Sequence, residues 1–367
     1  MDRLLKFSDL VQMMIEKYID DISVYNNEWS ADHDLDSDLL FQLRELATVQ
    51  SIGSSTRIEG SSLTDEEVNS LLQGMQTQKL KTRDEEEVAG YFHTLELVLN
   101  DFEGIPINAN YVRGLHKELL QFSSKDRHHL GNYKQLTNRV VATMKDGTQR
   151  TIFKTTEPMF VDQEMTDLFE WYNSNKSGDK YHPLIVIGAF IYEFLTIHPF
   201  QDGNGRLSRL LTTLLLLQHD YAFVQYASFE REIEKEKRKY YAALMEAQRH
   251  RGEESEVIER WMLFFLRSLV RLTEELDRLI KLKKDGDDSV EPGMLKEPTA
   301  FPYLSIREER VLQYFDNNPS LSVKEVDERV REVSRSTVKN DLRKLTEHGL
   351  LERRGRGRGT VYVRKRN

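Results

Sequence analysis

The sequence predicts a mainly α-helical protein that ends in a small winged helix-turn-helix domain. Three observations carry this. Through most of the first 285 residues apolar side chains recur at i, i+3, i+4 and i+7, the period of a helix with one buried face. The exception, between Leu136 and Phe153, is a pair of β-prone runs around an Asp-Gly step. Residues 284–302 then collect three prolines, two glycines and an acidic cluster, and the pattern changes beyond them.

In chain order, "SDLLFQLRELATVQSI", "EVAGYFHTLELVLNDF" and "YVRGLHKELLQF" are amphipathic helices. "NRVVATM" and "TQRTIF" flank "KDGT", a hairpin signal; a lone two-stranded hairpin is marginal, so it is expected to project from a helical body. "LIVIGAFIYEFLTI" is apolar enough to be a core helix, and "SEVIERWMLFFLRSLVRLTEELDRLIKL" closes the body. After the linker, "SIREERVLQYFDNN", "SVKEVDERVREV" and "SRSTVKNDLRKLTEHG" read as three helices, the last capped by Ser334 and stopped by Gly349. "LLERRGRGRGTVYVRK" reads as two strands around a glycine-arginine loop. The expected domains are an N-terminal helical region (1–105), a core (106–284), a linker (285–302) and a winged helix-turn-helix (303–367).

With 39% hydrophobic and 31% charged residues, the composition is that of a globular protein and excludes disorder as the default. Cysteine is absent, which excludes disulfides and thiolate metal sites and suits a reducing cytoplasm, the expected location. The N-terminal stretch carries acids throughout and has no signal-peptide h-region. The longest apolar run, Leu184 to Tyr192, falls short of the roughly 20 residues that span a bilayer. The net charge of −9 is uneven. From Ser334 onward there are eleven Lys/Arg against three Asp/Glu, a local +8 that leaves −17 on the rest. An acidic body with a basic tail points to two kinds of surface.

The densest chemistry lies in "HPFQDGNGRLSR", residues 198–209. Pro199, Gly203 and Gly205 predict that one helix ends near His198 and another begins within "GNGRLSRLLTTLLLLQ". A glycine-rich turn that opens a helix exposes backbone N–H groups where the helix dipole is positive, the setting for a phosphate. Arg206 and Arg209, three apart, share a helical face and can each fork onto phosphate oxygens. Asp202 is a hard oxygen ligand suited to Mg²⁺ also held by phosphates, and His198 can take a proton from a hydroxyl near neutral pH. Together they imply phosphoryl or nucleotidyl transfer. A plain helix-helix turn, with a packed histidine and arginines paired to the acidic body, is the competing reading. Seven apt residues within twelve positions weigh against it.

The stretch closely resembles the signature His-Pro-Phe-x-Asp-Gly-Asn-Gly-Arg-x-x-Arg of the Fic family, whose members mostly transfer AMP from ATP to protein hydroxyls, and it matches at every defined position. The likeness extends to "GNYK" (131–134), "YYAAL" (240–244) and "WMLFFL" (261–266), and so covers roughly residues 40 to 270. The resemblance implies a Fic-fold helical core with a β-hairpin flap. It implies that His198 deprotonates the target hydroxyl, Asp202 binds Mg²⁺, and Asn204 with the backbone at Gly203 and Gly205 forms an anion hole. Arg206 would hold the β-phosphate of ATP and Arg209 the γ-phosphate. The family usually has arginine at the position of Lys134 and a shorter hairpin, departures expected to bear on target docking.

By the same resemblance Tyr240 and Tyr241 line an adenine pocket, an aromatic platform for a purine; a core tyrosine beside a surface one is the alternative. The strand Val140, Val141, Ala142 and Thr143 is the expected target-docking flap, since a strand edge can pair with an extended segment; a structural ribbon is the alternative. In "SSTRIEG" (54–60), Ser55 and Glu59 are four apart and share a helical face, with Gly60 fitting the helix end. Alone this is a helix end with a solvated acid. Beside the signature it resembles the family's inhibitory motif, (Ser/Thr)-x-x-x-Glu-(Gly/Asn). In the tail, "SRSTVKNDLRKL" is able to enter a major groove and "RRGRGRG" to contact phosphates, unless the module binds protein instead. The expected function is therefore a self-inhibited protein adenylyltransferase using ATP and Mg²⁺. The alternatives are a Fic enzyme that removes AMP, or a DNA-binding regulator whose core only senses nucleotide.

Overall fold

The computed structural model describes residues 1–31, 36–75, 79–143, 149–253, 255–284, 311–312, 314–315, 318, 320–330, 335–347, 350–355 and 360–365. The chain divides into two compact units, Met1–Met294 and Leu295–Asn367. The expected linker, 285–302, lies outside the described residues.

The first unit is helical: α1 (Asp9–Ala31), α2 (Ser37–Glu59), α3 (Asp65–Gly74), α4 (Arg83–Asp101), α5 (Ala109–Leu120), α6 (Pro158–Asn175), α7 (Pro183–Ile197), α8 (Asn204–Gln218), α9 (Phe229–Lys235), α10 (Lys237–Ala247) and α11 (Glu259–Lys284). Local chemistry sets many of the starts. Thr64 with Glu67 and Thr82 with Glu85 form capping boxes that open α3 and α4. Asn108 accepts from the N–H of Tyr111 at the start of α5, and proline at the first helical position opens α6 and α7.

Helices α7 and α8 form the centre. Every residue of α7 from Leu184 to Ile197 is buried because its sequence offers water almost no polar face, and α8 is buried over Arg206–Leu217 with its arginines, serine and threonines enclosed. At about 1.5–3 kcal/mol for each large apolar side chain buried, these two helices dominate the core. Helices α6 and α11 pack on α7, α2 and α4 pack on α8, and α9 lies against α2. Helix α2 is buried on unusual terms: Ser54, Ser55 and Thr56 are fully enclosed alongside Leu43, Leu46, Ile52 and Ile58. It ends at Gly60, whose left-handed backbone (φ 112°) returns N–H bonds to Thr56 and Arg57.

Strands β1 (Arg139–Thr143) and β2 (Gln149–Lys154) pair antiparallel, from Arg139 against Lys154 to Thr143 against Gln149, with a register irregularity between Val140 and Val141. The flap call at Val140, Val141, Ala142 and Thr143 thus falls on a strand; the "KDGT" tip lies outside the described residues.

The second unit contains β3 (Leu321–Ser322), α12 (Val323–Val330), α13 (Arg335–Glu347), β4 (Leu351–Arg354) and β5 (Val361–Arg364), with an antiparallel sheet in the order β3-β5-β4. Val311, Phe315, Val326, Val338, Leu342 and Tyr362 are among the residues of its core. Strand β3 was not anticipated; two residues are too few to show an alternation. Most of the first expected helix, Ser334, Gly349 and the glycine-arginine loop at 356–359 lie outside the described residues. No helix among the described residues is long and apolar enough to cross a membrane.

Candidate active site

The site forms where α7 hands the chain to α8. His198 follows the last residue of α7 and adopts a left-handed backbone, φ 52° and ψ 60°, while its N–H still bonds to Phe194. Phe200 is fully buried and stacks on the His116 ring, centroids 3.8 Å apart. Gly203 caps α8 with φ 79°, a conformation that favours glycine. The Asn204 side chain closes the loop on itself: Oδ1 accepts from the N–H of Phe200 at 2.9 Å and Nδ2 donates to its carbonyl at 2.8 Å. The Asn204 side chain thus shapes the loop, and its backbone N–H, at the first position of α8, is the group by which it could meet an anion.

His198 is set up as a base. Its Nδ1–H donates to the Leu195 carbonyl at 3.2 Å, which fixes the tautomer with the lone pair on Nε2. Burial lowers its pKa to about 4, with the Lys134 charge adding to the effect, so the ring is neutral at physiological pH.

Asp202 lies among cations: Oδ1 is 3.3 Å from Arg206 Nη2, and Oδ2 is 3.6 Å from Arg83 Nη2 and 4.0 Å from Lys125 Nζ. Burial pulls its carboxyl upward, but Arg206, the Gly203 N–H, Arg83 and Lys125 together hold it below the usual range. It is therefore an ionised, acceptor-only oxygen donor on a side chain 30% exposed. Among the described residues no group of three or more acids or imidazoles converges on a metal position. That donor set fits Mg²⁺ of the kind held by one carboxylate with phosphates and water.

The two arginines of the motif are almost wholly buried, at 1% and 2% exposure. Arg206 is 3.4 Å from Glu87 Oε2, yet its Nε and Nη1 have no hydrogen-bond partner. Arg209 donates from Nε to Ser55 Oγ (2.8 Å) and from Nη2 to the Ser55 carbonyl (3.0 Å) and to Glu59 Oε1 (2.8 Å), while its Nη1 lacks a partner. A buried donor without a hydrogen bond costs about 1–3 kcal/mol, more for a charged group, so these N–H groups are able to bond an anion.

Ser55 and Glu59, four apart on α2, thus both meet Arg209. Burial pulls the Glu59 carboxyl up, but Arg209 and Arg206 outweigh it and hold it below the usual range. Glu59 is a paired helix-end acid whose side chain remains one-third exposed. Its helix end is clamped: Arg57 binds Glu234 through Nε and Nη2 (2.8 and 3.0 Å) and Asp65 through Nη1 (2.8 Å), and Lys237 Nζ donates to the Arg57 carbonyl at 3.3 Å.

The tyrosine pair divides. Tyr240 is 3% exposed and packs against Trp261 and Phe264, with ring centroids 5.9 and 5.7 Å away, while its hydroxyl interacts with Arg209. Tyr241 is partly exposed, its ring 5.1 Å from that of Tyr240. For β1 only the backbone is described.

Three participants escaped the sequence reading. His116 on α5 bonds through Nε2 to the Asp202 carbonyl at 3.1 Å and accepts the Gly131 N–H at Nδ1, while Arg83 and Glu87 on α4 meet Asp202 and Arg206. Lys134, singled out by the resemblance as bearing on target docking, lies at 3% exposure beside the 198–209 loop, bonded to the Ile197 carbonyl. Glutamates opening α4 and a histidine on an amphipathic helix carry no local sign of such roles.

Residues 106–216 match the model of the Fic/DOC family, and residues 310–354 match that of a helix-turn-helix domain. The chain carries a Fic domain and a C-terminal helix-turn-helix domain. The match to the Fic domain includes the whole of the 198–209 loop, whereas Ser55, Glu59, Tyr240 and Tyr241 lie outside it.

Relatives of the Fic domain extend the comparison. A protein adenylyltransferase Fic of Drosophila mojavensis is 28% identical over 222 residues, covering 58% of this chain and 40% of that protein. A Fido domain-containing protein of Dictyostelium discoideum is 36% identical over 66 residues, 18% of this chain and 46% of that one. The chain thus spans less than half the length of these relatives. Among solved structures, a Fic family protein from Desulfovibrio desulfuricans superposes with a TM-score of 0.56 at 21% identity, over 98% of this chain and 97% of that one. A Fic domain containing signaling protein from Bacteroides thetaiotaomicron gives 0.59 at 23%, over 74% and 99%. These similarities establish the Fic fold.

Proposed function

We propose that this chain is a self-inhibited protein adenylyltransferase that moves AMP from ATP to a Ser, Thr or Tyr hydroxyl of a protein and releases pyrophosphate. The observation that supports it best is a neutral imidazole on the same loop-helix junction as buried guanidinium N–H groups without hydrogen-bond partners. Nε2 of His198 takes the hydroxyl proton as the oxygen bonds to the α-phosphorus. The bond from that phosphorus to the β-phosphate oxygen breaks, and Arg206, Arg209 and the first backbone N–H groups of α8 receive the charge on pyrophosphate. Asp202 would hold Mg²⁺, which supplies neutralisation of phosphate charge when bound. The β1–β2 edge would align the target segment through main-chain bonds, and Tyr241 would border the adenine.

Glu59 sits on the arginine assigned to the γ-phosphate, so ATP and Glu59 compete for Arg209. A partly desolvated Arg–carboxylate pair contributes a few kcal/mol at most, which makes the block leaky and relievable. The test is incubation of wild type and Glu59→Gly with α-labelled or γ-labelled ATP and Mg²⁺, alone and with cell lysate. Label from the α position alone, and more of it with Glu59→Gly, is the expected result. Nucleotide binding without any transfer would sink the reading. Faster removal of pre-installed AMP by wild type than by the variant would instead make the reverse reaction, with Glu59 aligning water, the principal one.

A second role has its own observation. Arg335, Lys339 and Arg343 recur every four residues on the exposed side of α13, and Arg353 and Arg354 are exposed on β4. That cationic stripe on the second helix of a helix-turn-helix suits the phosphates of duplex DNA. Duplex titration across salt concentration tests it.

A further inference from the structure

His198 is a non-glycine residue in the left-handed region, a strained conformation that persists only where the surroundings over-determine it. The carbonyls on either side of it are both held by one residue. The Lys134 backbone N–H donates to the Pro199 carbonyl at 2.8 Å, and its ammonium donates to the Ile197 carbonyl at 3.1 Å. The same ammonium donates to Asn138 Oδ1 (2.9 Å) and Thr155 Oγ1 (2.8 Å). Asn138 immediately precedes β1 and Thr155 immediately follows β2. Asn138 Nδ2 completes the arrangement by donating to the Phe200 carbonyl at 2.8 Å. An ammonium has three N–H groups, and here each has an acceptor: one on the helix end that carries the base, one at each root of the hairpin.

We propose that Lys134 is a positioning residue that locks the roots of the β1–β2 hairpin to the left-handed backbone of His198, so that a segment laid along the hairpin arrives in register with the imidazole. This rests on the adenylyltransferase reading of the site. A misplacement of about 1 Å between an acceptor and its base can cost about 10²-fold in rate, so the coupling acts on turnover and not on nucleotide affinity.

The charge has a second effect, because Lys134 faces His198 and helps to keep its imidazole neutral. The charged groups facing Lys134 are Glu157, ahead of α6, and Glu164 on α6; burial outweighs both and lowers the lysine to about 8. Above that pH the amine has two N–H groups for three acceptors, and the lock loosens.

The test compares Lys134→Met, which keeps the length and removes the donors, with Lys134→Arg, which keeps a permanent charge, both in the Glu59→Gly background. Label transfer from α-labelled ATP should fall about 10²-fold in Lys134→Met with ATP affinity unchanged, and be largely retained in Lys134→Arg. The alkaline limb of the rate profile should move out of range in Lys134→Arg. Two readouts need no activity. The titration midpoint of the His198 ring, followed by NMR, should rise in Lys134→Met as the repelling charge disappears. Hydrogen exchange at 139–143 and 149–154 should accelerate in the same variant. Loss of ATP affinity in parallel with rate, or an unmoved His198 midpoint with unchanged exchange, overturns the proposal. An unlabelled Glu59→Gly parent sinks the adenylyltransferase reading instead, while the NMR and exchange results still decide the role of Lys134. Should Lys134→Met fail to fold, wild-type exchange corrected for intrinsic chemistry takes its place: acceleration above pH ~8 supports the lock, and a flat profile overturns it.

Discussion

A methyl group on Gly205 would lie 2.2 Å from Oε1 of Glu59. The carboxylate therefore rests against the backbone of the turn that opens α8, where a phosphate would approach, and it reaches Arg209 because residue 205 has no side chain.

This contact makes Glu59→Gly the most informative variant. Labelling of the protein and of its targets should rise about 10-fold for each 1.4 kcal/mol of competition removed. Adding Arg209→Ala should cancel the gain, since the released guanidinium is what ATP would use. Equal labelling by wild type and Glu59→Gly at saturating ATP would show that the pair does not govern access.

The His198 ring should set the acid limb of the transfer rate. With its pKa lowered to about 4 by burial, the base form predominates down to far lower pH than for an ordinary histidine near 6.5. Single-turnover transfer by Glu59→Gly should stay level from neutrality to about pH 5 and fall as the pH drops through about 4. His198→Ala should cost about 10²–10⁴-fold while ATP binding persists. A midpoint near 6.5 would contradict the buried, neutral ring.

Arg57 should tune the same block from a distance. Its bonds to Glu234 and Asp65 hold the end of α2, and it touches neither Arg209 nor the phosphate loop in the hydrogen-bond network described. Arg57→Ala should lower thermal stability, because two acids lose a partner, and raise basal labelling by less than Glu59→Gly does. Lower stability with labelling no higher than wild type would leave Arg57 a structural residue only.

Anion binding can be read without catalysis. The unpartnered N–H groups of Arg206 and Arg209 should make pyrophosphate a stabilising ligand, worth about 2.7 kcal/mol at a concentration 100 times its Kd. A thermal-shift titration should show this in wild type, more strongly in Glu59→Gly, and scarcely at all in Arg206→Ala. A shift that survives Arg206→Ala would assign the anion to another surface.

For the second unit, duplex affinity should fall steeply with salt, and each phosphate contact removed by Lys339→Glu or Arg343→Glu should reduce the slope by about 0.9. Absence of duplex binding at low salt would assign the cationic face of α13 to a protein partner.

What the sequence made legible follows from how local each feature is. The 198–209 loop is one contiguous turn, so its glycines, acid, base and arginines are neighbours in sequence as in space. Ser55 and Glu59 were readable because helical geometry alone aligns residues four apart. The partner of Glu59 needed the resemblance to a known signature, since nothing local ties α2 to Arg209. Lys134, His116, Arg83 and Glu87 act across elements distant in sequence, and each looks ordinary in its own segment. The tyrosine pair divides for a geometric reason: adjacent residues on a helix point about 100° apart, so Tyr240 enters the Trp261 cluster while Tyr241 stays partly exposed.

The burial of α2 has a consequence for any regulation. Leu43, Leu46, Ile52 and Ile58 anchor that helix in the core, so Glu59 is tethered beside Arg209 and its effective concentration is fixed by the fold. Under the proposed competition, diluting the protein would leave the block unchanged. Relief would need only the Glu59 side chain, one-third exposed at the helix end, to turn. Rotamer changes of exposed side chains take picoseconds to nanoseconds, so such a block would yield to ATP without waiting for a domain to open.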